Sequence, residues 1–424
     1  MRRISLSILG LFFGVLSAFS QAADKDTAKY IDRKLTASEI NLVSSYYTQD
    51  GNRSPVTGGV GTEKLRDNAN IIDLKLAYSD RKSREHIFTL EAGVDNYTSA
   101  SSDKINPRTI SSASSHDTRF YPSTSYTLHN DKKRFDFGVN ASYSKEFDYR
   151  SFGTGIKFGK TSKDRNREFE IKTSGYFDRY TIIHPIELSA ANVSSASYLG
   201  ISGQGHSGPR EAKYRNYPTQ PRNSFDASFV LSQVVNKRFQ VAVLADVAYQ
   251  KGFLSTPFHR IYLNLPDTMR AVLEILPSTH LKIPLGVRAS YFLGDRIIIK
   301  GYYRFYTDDW GLHSHTFNVE TPIKLTPFIS ISPFYRFYTQ SAVKYYIPYK
   351  SLNPSDTLTI PFRTTDDDLS KFNSNFLGID LRFAPPKGIF GIEGWSMFEI
   401  RYGNYRRSDG LHSDIITANL KFKL

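Results

Sequence analysis

The chain has 424 residues, with 55 Lys and Arg against 41 Asp and Glu, 30 Phe, 27 Tyr, 2 Trp and no Cys. The lack of cysteine excludes a disulfide scaffold, thiolate metal centres and covalently attached haem. A formal charge of +14 points to anionic partners; in an exported chain these are lipid headgroups, lipopolysaccharide phosphates or anionic solutes, and not nucleic acid.

Export is read from the first residues. Arg2 and Arg3 precede an apolar run from Ile4 to Phe19, with small residues at Ser20, Ala22 and Ala23. These are the charged, apolar and cleavage regions of a signal peptide over residues 1–23. The run is short of the roughly 20 residues that a spanning helix requires. Residues 24–38 are polar and too few to form a plug domain, so they are expected to be a short periplasmic segment. The barrel itself is expected over 39–424.

The first strand is read over Glu39–Thr48. Seven pairs of amphipathic runs follow: 71–78 with 87–97, 119–129 with 135–143, 152–158 with 169–177, 225–235 with 239–249, 281–293 with 297–306, 312–320 with 328–337, and 376–383 with 395–402. Within a pair the connection is short, and in several pairs it is basic (SDRKSRE, NDKKR, TSKDRNR, NKR). Between pairs it is mostly long: 49–69, 99–117, 181–222, 252–280 and 341–370. Phe135, Phe137, Val139, Ala141 and Tyr143 alternate with Asp136, Gly138, Asn140 and Ser142. That is the period of a strand with one apolar and one polar face.

The last strand alternates to the end of the sequence, with Ile416, Ala418, Leu420, Phe422 and Leu424 on one face and Thr417, Asn419, Lys421 and Lys423 on the other. An open strand edge is not tolerated in lipid, so Leu420, Phe422 and Leu424 are expected to close the sheet against the first strand. The prediction is an all-β fold: a transmembrane antiparallel β-barrel of about sixteen strands, with short periplasmic turns and long extracellular loops.

Three stretches depart from plain barrel sequence. After the first strand, Ser45–Asp67 carries Asp50, Asn52, Gly58, Gly59, Gly61 and Glu63. Such glycines either leave amides free to cradle an anion or let the loop pack closely against the wall. Asp50, Asn52 and Ser54 alternate as in a calcium loop, but Pro55 replaces the turn glycine and no acid occupies the bidentate position, so no metal is expected. DTMRAVLEIL (Asp267–Leu276) places Met269, Val272, Leu273 and Leu276 at helical spacing and predicts a short helix. Tyr302–Thr316 contains Asp308, Asp309, His313 and His315, the one acid–histidine grouping that would suit a hydrolytic site at the rim. The favoured reading is instead a tight hairpin: Asp caps the turn, Gly311 takes a positive φ and Trp310 joins the aromatic girdle.

The first loop (YYTQDGNRSPVTGGVGTEKL), the DDWG hairpin with its following S-H-T, and the full-length barrel pattern together resemble one family. It is the group of bacterial outer-membrane barrel proteins catalogued as domain of unknown function 3570. The C-terminal strand likewise resembles the closing strand of Gram-negative outer-membrane proteins, although these usually end in an aromatic residue where this chain has Leu424. The resemblance implies the outer membrane of a Gram-negative bacterium and no established activity, so no site residue is carried over. The expected partners are outer-membrane lipid, lipopolysaccharide and the outer-membrane assembly machinery. The basic turns could also dock an acidic periplasmic protein. No cofactor is expected. The expected function is a porin-like channel for small, anionic solutes; the alternatives are a surface hydrolase at the rim and an export or adhesion scaffold.

Overall fold

The computed structural model describes residues 35–98, 112, 116–183, 219–256, 258–266 and 270–424. The export signal and most of the 181–222 connection lie outside this set. One half of the wall is made by β1 (Thr36–Asp50), β2 (Leu65–Ser79), β3 (Glu85–Thr98), β4 (His116–Asn130), β5 (Phe135–Lys145), β6 (Tyr149–Thr161), β7 (Arg167–Thr181), β8 (Thr219–Asn236) and β9 (Phe239–Gly252). A small hairpin of β10 (Arg260–Tyr262) and β11 (Ala271–Leu273) then leaves the wall. The wall resumes with β12 (Thr279–Leu293), β13 (Ile297–Asp308), β14 (His313–Glu320), β15 (Ile323–Lys324), β16 (Ile329–Gln340), β17 (Phe372–Phe383), β18 (Trp395–Arg407) and β19 (His412–Lys423).

Each wall strand pairs antiparallel with its neighbours, β9 pairs with β12 past the hairpin, and β1 pairs with β19. β15 continues β14 beyond Thr321 and Pro322, where proline removes a ladder donor. Counted as one strand, the two pieces complete a closed barrel of sixteen. The closing seam is in the expected place. Leu42 faces Leu420 and Ile40 faces Phe422. Trp395 stacks on the Phe422 ring at 5.8 Å, and the Leu424 N–H reaches Ser38 O at 3.4 Å. On the lumenal side of the seam, Lys421 Nζ lies 2.6 Å from Glu39 Oε1. The first strand begins at Thr36, three residues before its apolar pattern becomes visible.

The pleat sorts the side chains. Leu90, Phe137, Ile156, Phe169, Val243, Leu285, Phe317, Leu377, Ile400 and Ile416 all project from the outer face, and each is more than a third exposed. Leaving such side chains in water forgoes about 1.5–3 kcal/mol apiece, so this belt requires an apolar solvent around it. The alternate positions face inward and are mostly polar or charged, among them Asp73, Lys75, Glu91, Asp95, Asp136, Lys172, Asp246, Lys300 and Arg304. Where two of these strands meet, the lumenal side chains pair across them, as with Lys157 Nζ and Glu170 Oε2 at 2.7 Å.

The fully buried side chains are mostly in the loops and not in the wall: Ile261, Leu273 and Leu352 are 2 % exposed or less. This accounts for a correction to the predicted helix over Asp267–Leu276. Ala271–Leu273 is a strand instead, paired with Arg260–Tyr262, and all three of its residues are buried. The spacing of Val272 and Leu273 mimics one helical face, but Val272 packs against Ile261, Leu263 and Leu352, and Arg363 Nε–H donates to Leu273 O at 3.2 Å, so the segment is covered by its own hairpin and by the loop after β16.

The outward belt makes a direct prediction. Leu285→Arg, near the middle of β12, should cost about 2–4 kcal/mol in denaturant unfolding from lipid vesicles. Ser125→Arg, on the lumenal face, should stay within about 0.5 kcal/mol of the parent. Equal costs at the two positions would contradict the assignment of faces.

Candidate functional site

At the extracellular mouth the structure separates the residues of the DDWG hairpin. Asp308 lies on the lumenal face of β13. Its Oδ1 accepts the Leu312 N–H at 2.9 Å, while Oδ2 accepts the Tyr306 O–H at 2.9 Å and meets His280 Nε2 at 2.9 Å. The side chains of His280 and Asp308 are 8 % and 2 % exposed. Asp309 Oδ1 accepts the Leu281 N–H at 3.0 Å. His313 and His315 project from the opposite, outer face of β14, where His315 Nδ1 bonds Tyr303 Oη at 2.8 Å and His313 stacks on Phe305.

The four residues therefore do not converge on one point. Both carboxylates fasten the rim, and the histidines belong to the outer aromatic border. Gly311 takes a φ of 87° as the hairpin requires. Trp310 does not join the girdle. It is 5 % exposed among Leu254, Leu312 and Val343, its ring stacks on His280 at 3.8 Å, and its Nε1–H donates to Thr279 O at 2.9 Å. The loop after β16 brings Val343 and Tyr345 over the indole, and that cover buries more apolar surface than a place at the lipid interface would.

The glycine-rich first loop is used for close packing. Pro55–Thr57 forms a single 3₁₀ turn ended by Gly58 at φ 82°. The amides of Gly58 and Gly59 bond to Pro55 O and Ser54 O at 3.1 and 2.9 Å, so neither is free for an anion. A Cβ on Gly58 would lie 2.5 Å from the Tyr262 ring of the loop after β9. Gly59 faces Thr365 O of the loop after β16, and Gly61 closes a bridge to Arg53. Asn52 is exposed, whereas Ser54 is fully buried, and Asp50 lies 3.7 Å from Lys64 Nζ. The three do not form a cation cage.

The described residues of three loops thus interlock into a cap: 51–64, 253–278 and 341–371. Leu263 bridges Leu352, Ile275 bridges Arg363, and Thr365 Oγ1 donates to Arg260 O at 2.9 Å. At the centre, Glu274 is 1 % exposed and accepts from Thr256 N–H and Thr364 Oγ1–H, both at 2.6 Å, with His259 Nδ1 at 3.1 Å. Burial opposes the charge on His259, but Glu274 outweighs it and raises the imidazole above its ordinary range.

The cap is anchored inside the mouth. Gln340 Nε2, on the lumenal face of β16, donates to Asp368 O and Ser370 O at 2.9 and 2.6 Å. Arg407, on the lumenal face of β18, lies 3.8 Å over the Phe372 ring, pairs with Asp368 and Asp409, and donates to Asp367 O at 2.9 Å. Asp367 Oδ1 also accepts the Tyr346 O–H at 2.7 Å and lies 3.5 Å from Arg53. Sequence reading missed this acidic run, because its partners come from four separate segments.

Also missed was a group at the β5–β6 turn. Carboxylate oxygens of Asp117, Glu146 and Asp148 lie within 4.8 Å of one another and are of the type a hard cation takes. Tyr97 O–H already donates to Glu146 at 2.8 Å, and Arg119 lies 3.6 Å from it. Burial, with Glu146 and Asp117 nearby, pushes Asp148 up to about 6. The acids at 146 and 148 share one short turn, but no sequence signal places Asp117 beside them.

The cap gathers groups whose titration has one sign. Burial, then Asp368, pushes Glu63 up to about 7, against Arg407 and a hydrogen bond from the Arg53 backbone, with Asp367 adding to the repulsion. Burial and Asp368 push Asp366 up to about 6, with His259 opposing and Glu274 adding. A carboxyl with a raised folded pKa binds more protons folded than unfolded, so its contribution is full below about 4.5 and is lost as pH climbs through its folded value. His259, also raised, has the same sign. The cap should therefore loosen between pH 5 and pH 8. In a Trp395→Phe background, acrylamide quenching of Trp310 should rise over that range, and Glu63→Gln should flatten the rise. Quenching that falls with pH would contradict the assignment.

The family model described as "Protein of unknown function (DUF3570)" matches residues 5–389. No curated protein matches the chain. Among solved structures, the chain is similar to the Acinetobacter baumannii protein OccAB3 at 7% identity, covering 92% of this chain and 99% of that one with a TM-score of 0.42. It is similar to Pseudomonas aeruginosa OccD3 (OpdP) at 6% identity, over 92% and 94% of the two chains, TM-score 0.43. It is also similar to a BenF-like porin from Pseudomonas fluorescens Pf-5 at 8% identity, over 92% and 99%, TM-score 0.42. At these identities the likeness is one of barrel architecture alone.

Proposed function

The chain belongs to the DUF3570 family, whose description names no activity, and on the physical chemistry of its lumen we propose that it is an outer-membrane pore for small, preferentially anionic solutes. The observation that carries this reading is the run of charged and polar side chains that every wall strand contributes to the inward face. A sixteen-stranded barrel leaves a lumen wide enough for water and solutes. A cavity of about 1300 Å³ opens at the periplasmic end, lined by Asn41, Asp73, Arg382, Glu399, Asn419 and Lys421.

The lumenal charge is uneven around the barrel. Strands β12–β18 contribute Lys282, Arg288, Lys300, Arg304, Arg336, Arg382 and Arg401 against Asp308, Glu320, Asp380 and Glu399. Across from them, β2–β5 contribute Asp67, Asp73, Glu91, Asp95 and Asp136 against Lys75 and Arg119. A basic wall facing a more acidic one favours anions along the basic side. The cap spans part of the mouth and sets how readily solutes enter.

The hydrolase reading loses its support, because Asp308 is buried on the lumenal side while His313 and His315 lie on the outer face. Docking of an acidic periplasmic protein on the basic turns is the weaker alternative: Arg84 and Arg165 already pair with Asp80 and Asp131 at 2.6 and 2.8 Å. The pore reading places residues 1–23 in an export signal and the outer belt against lipid and lipopolysaccharide.

Reconstitution into planar bilayers tests it. In a potassium chloride gradient the protein should conduct, with a reversal potential of the sign set by chloride. A sealed barrel, or a cation-selective one, would contradict the proposal.

A further inference from the structure

We propose that the lumenal face of β13–β18 carries a built subsite for an oxyanion, formed by Arg304, Arg336 and Arg401 on an aromatic floor of Phe334 and Phe376. The inference deepens the pore reading, on which it rests for the ligand's route to the site, by naming the chemistry that the pathway holds.

The floor comes first. Phe334 and Phe376 lie on the lumenal face with ring centroids 5.1 Å apart, and Phe334 is 3 % exposed. They lie flat because the wall beneath them has no side chains. A Cβ on Gly378 would come within 2.3 Å of the Phe334 ring, and one on Gly403 within 2.5 Å of the Phe376 ring. Gly378 and Gly403 are register partners on β17 and β18, so one bare patch of wall receives both rings.

The guanidinium groups lie against this floor. Arg401 lies 4.0 Å from the Phe334 centroid and Arg336 lies 5.8 Å from that of Phe376. A guanidinium laid over an aromatic face is held at low entropic cost and keeps its N–H edge turned outward, the edge that matches a carboxylate or phosphate in a fork. Arg304, four strands away from Arg401, completes the group across β14: it is the register partner of Thr316, and Arg336 is that of Asn318, the next position on the same face.

Like charges gathered this closely need counter-charge, and the wall supplies too little. Glu320 is shared between Arg401 at 3.4 Å and Lys300 at 3.2 Å. Asp380 is the register partner of Arg401 and Glu399 that of Arg382, so these acids serve Arg401 and Arg382 and leave Arg304 and Arg336 unmatched. Among the described residues no carboxylate lies within 4 Å of Arg304 or Arg336. The polar contact that Arg336 makes is a long one, Nε–H to Asn318 Oδ1 at 3.4 Å. Arg304 Nε is shielded from solvent and has no hydrogen-bond partner. A shielded donor without an acceptor is costly, and an oxyanion bridging Arg304 and Arg336 supplies the acceptors. Tyr302 and Tyr338 flank the site on the same face.

The shared chemistry is an oxyanion that accepts two guanidinium forks, whether a carboxylate or a phosphate. Titration calorimetry on the detergent-solubilised full barrel tests it with inorganic phosphate, succinate and chloride as probes. Phosphate or succinate should bind saturably and chloride should not; the tighter of the two names the source. Arg336→Gln and Arg304→Gln should each weaken that binding by about tenfold to a hundredfold, the loss expected for one charge-assisted bond. Arg304→Lys, which keeps the charge and removes the fork, should fall between parent and Gln. The variants are scored only as heat-modifiable, folded barrels, with Arg304→Lys as the milder replacement should a Gln variant not assemble.

Absence of saturable binding in the parent, or binding unchanged in both Arg336→Gln and Arg304→Lys, would overturn the subsite. The readout does not require conduction. A sealed barrel that binds succinate would sink the pore and leave the subsite, whereas a conducting barrel that binds neither oxyanion would do the reverse.

Discussion

A strand edge in hydrocarbon has no water to bond to, and every unpaired N–H or carbonyl there costs several kcal/mol. The pairing of β1 with β19 removes the last such edges, from Glu39 opposite Lys423 to Asp50 opposite His412. Most other features follow from that seam. Once the sheet closes, alternate residues are committed to lipid or lumen along every strand, and a slip of one residue would invert the whole pattern. Lys421 and Glu39 reinforce the seam from inside, and Trp395 on Phe422 does so from outside.

Closure also explains why the well-packed core lies where it does. The wall cannot have a core of its own, since one face meets lipid and the other a polar lumen. Apolar burial is displaced to the mouth, where Ile261, Leu263, Val272 and Leu352 form one cluster and Leu254, Trp310, Leu312 and Val343 another. The second cluster joins the cap to the rim of β13 and β14, and Leu369 packs against it from the same segment that holds Asp366–Asp368. Ionisation at the acidic run and the packing of Trp310 are thereby coupled through a few residues of one loop.

The wall was legible in the sequence because its signal is local. Phe135 to Tyr143 shows its alternation without reference to any other strand, and the short basic turns mark where the chain reverses. The seven pairs, the strand count and the closing residues follow from that alone. The cap was not legible, for the opposite reason. Glu274 has meaning only beside Thr364 and His259, and Gly58 only beside Tyr262, contacts that span long stretches of sequence. The same non-local cover turned an apparent helical face at Val272 and Leu273 into a buried strand, and drew Trp310 away from the lipid border. The arginine site on the wall was legible only in part: Lys300 and Arg304 stand in the polar alternation of β13, but Arg336 is a lone charge on β16, and the rings under the group depend on two glycines that meet only in the folded sheet.

The chain has no native cysteine, so the seam can be probed with an introduced pair against a silent background. Leu42→Cys with Leu420→Cys, register partners on β1 and β19, should cross-link with a short bifunctional thiol reagent in native membranes as efficiently as Leu285→Cys with Phe305→Cys within the wall. Efficient cross-linking of the wall pair with none at the seam would show an open sheet and contradict the closed barrel.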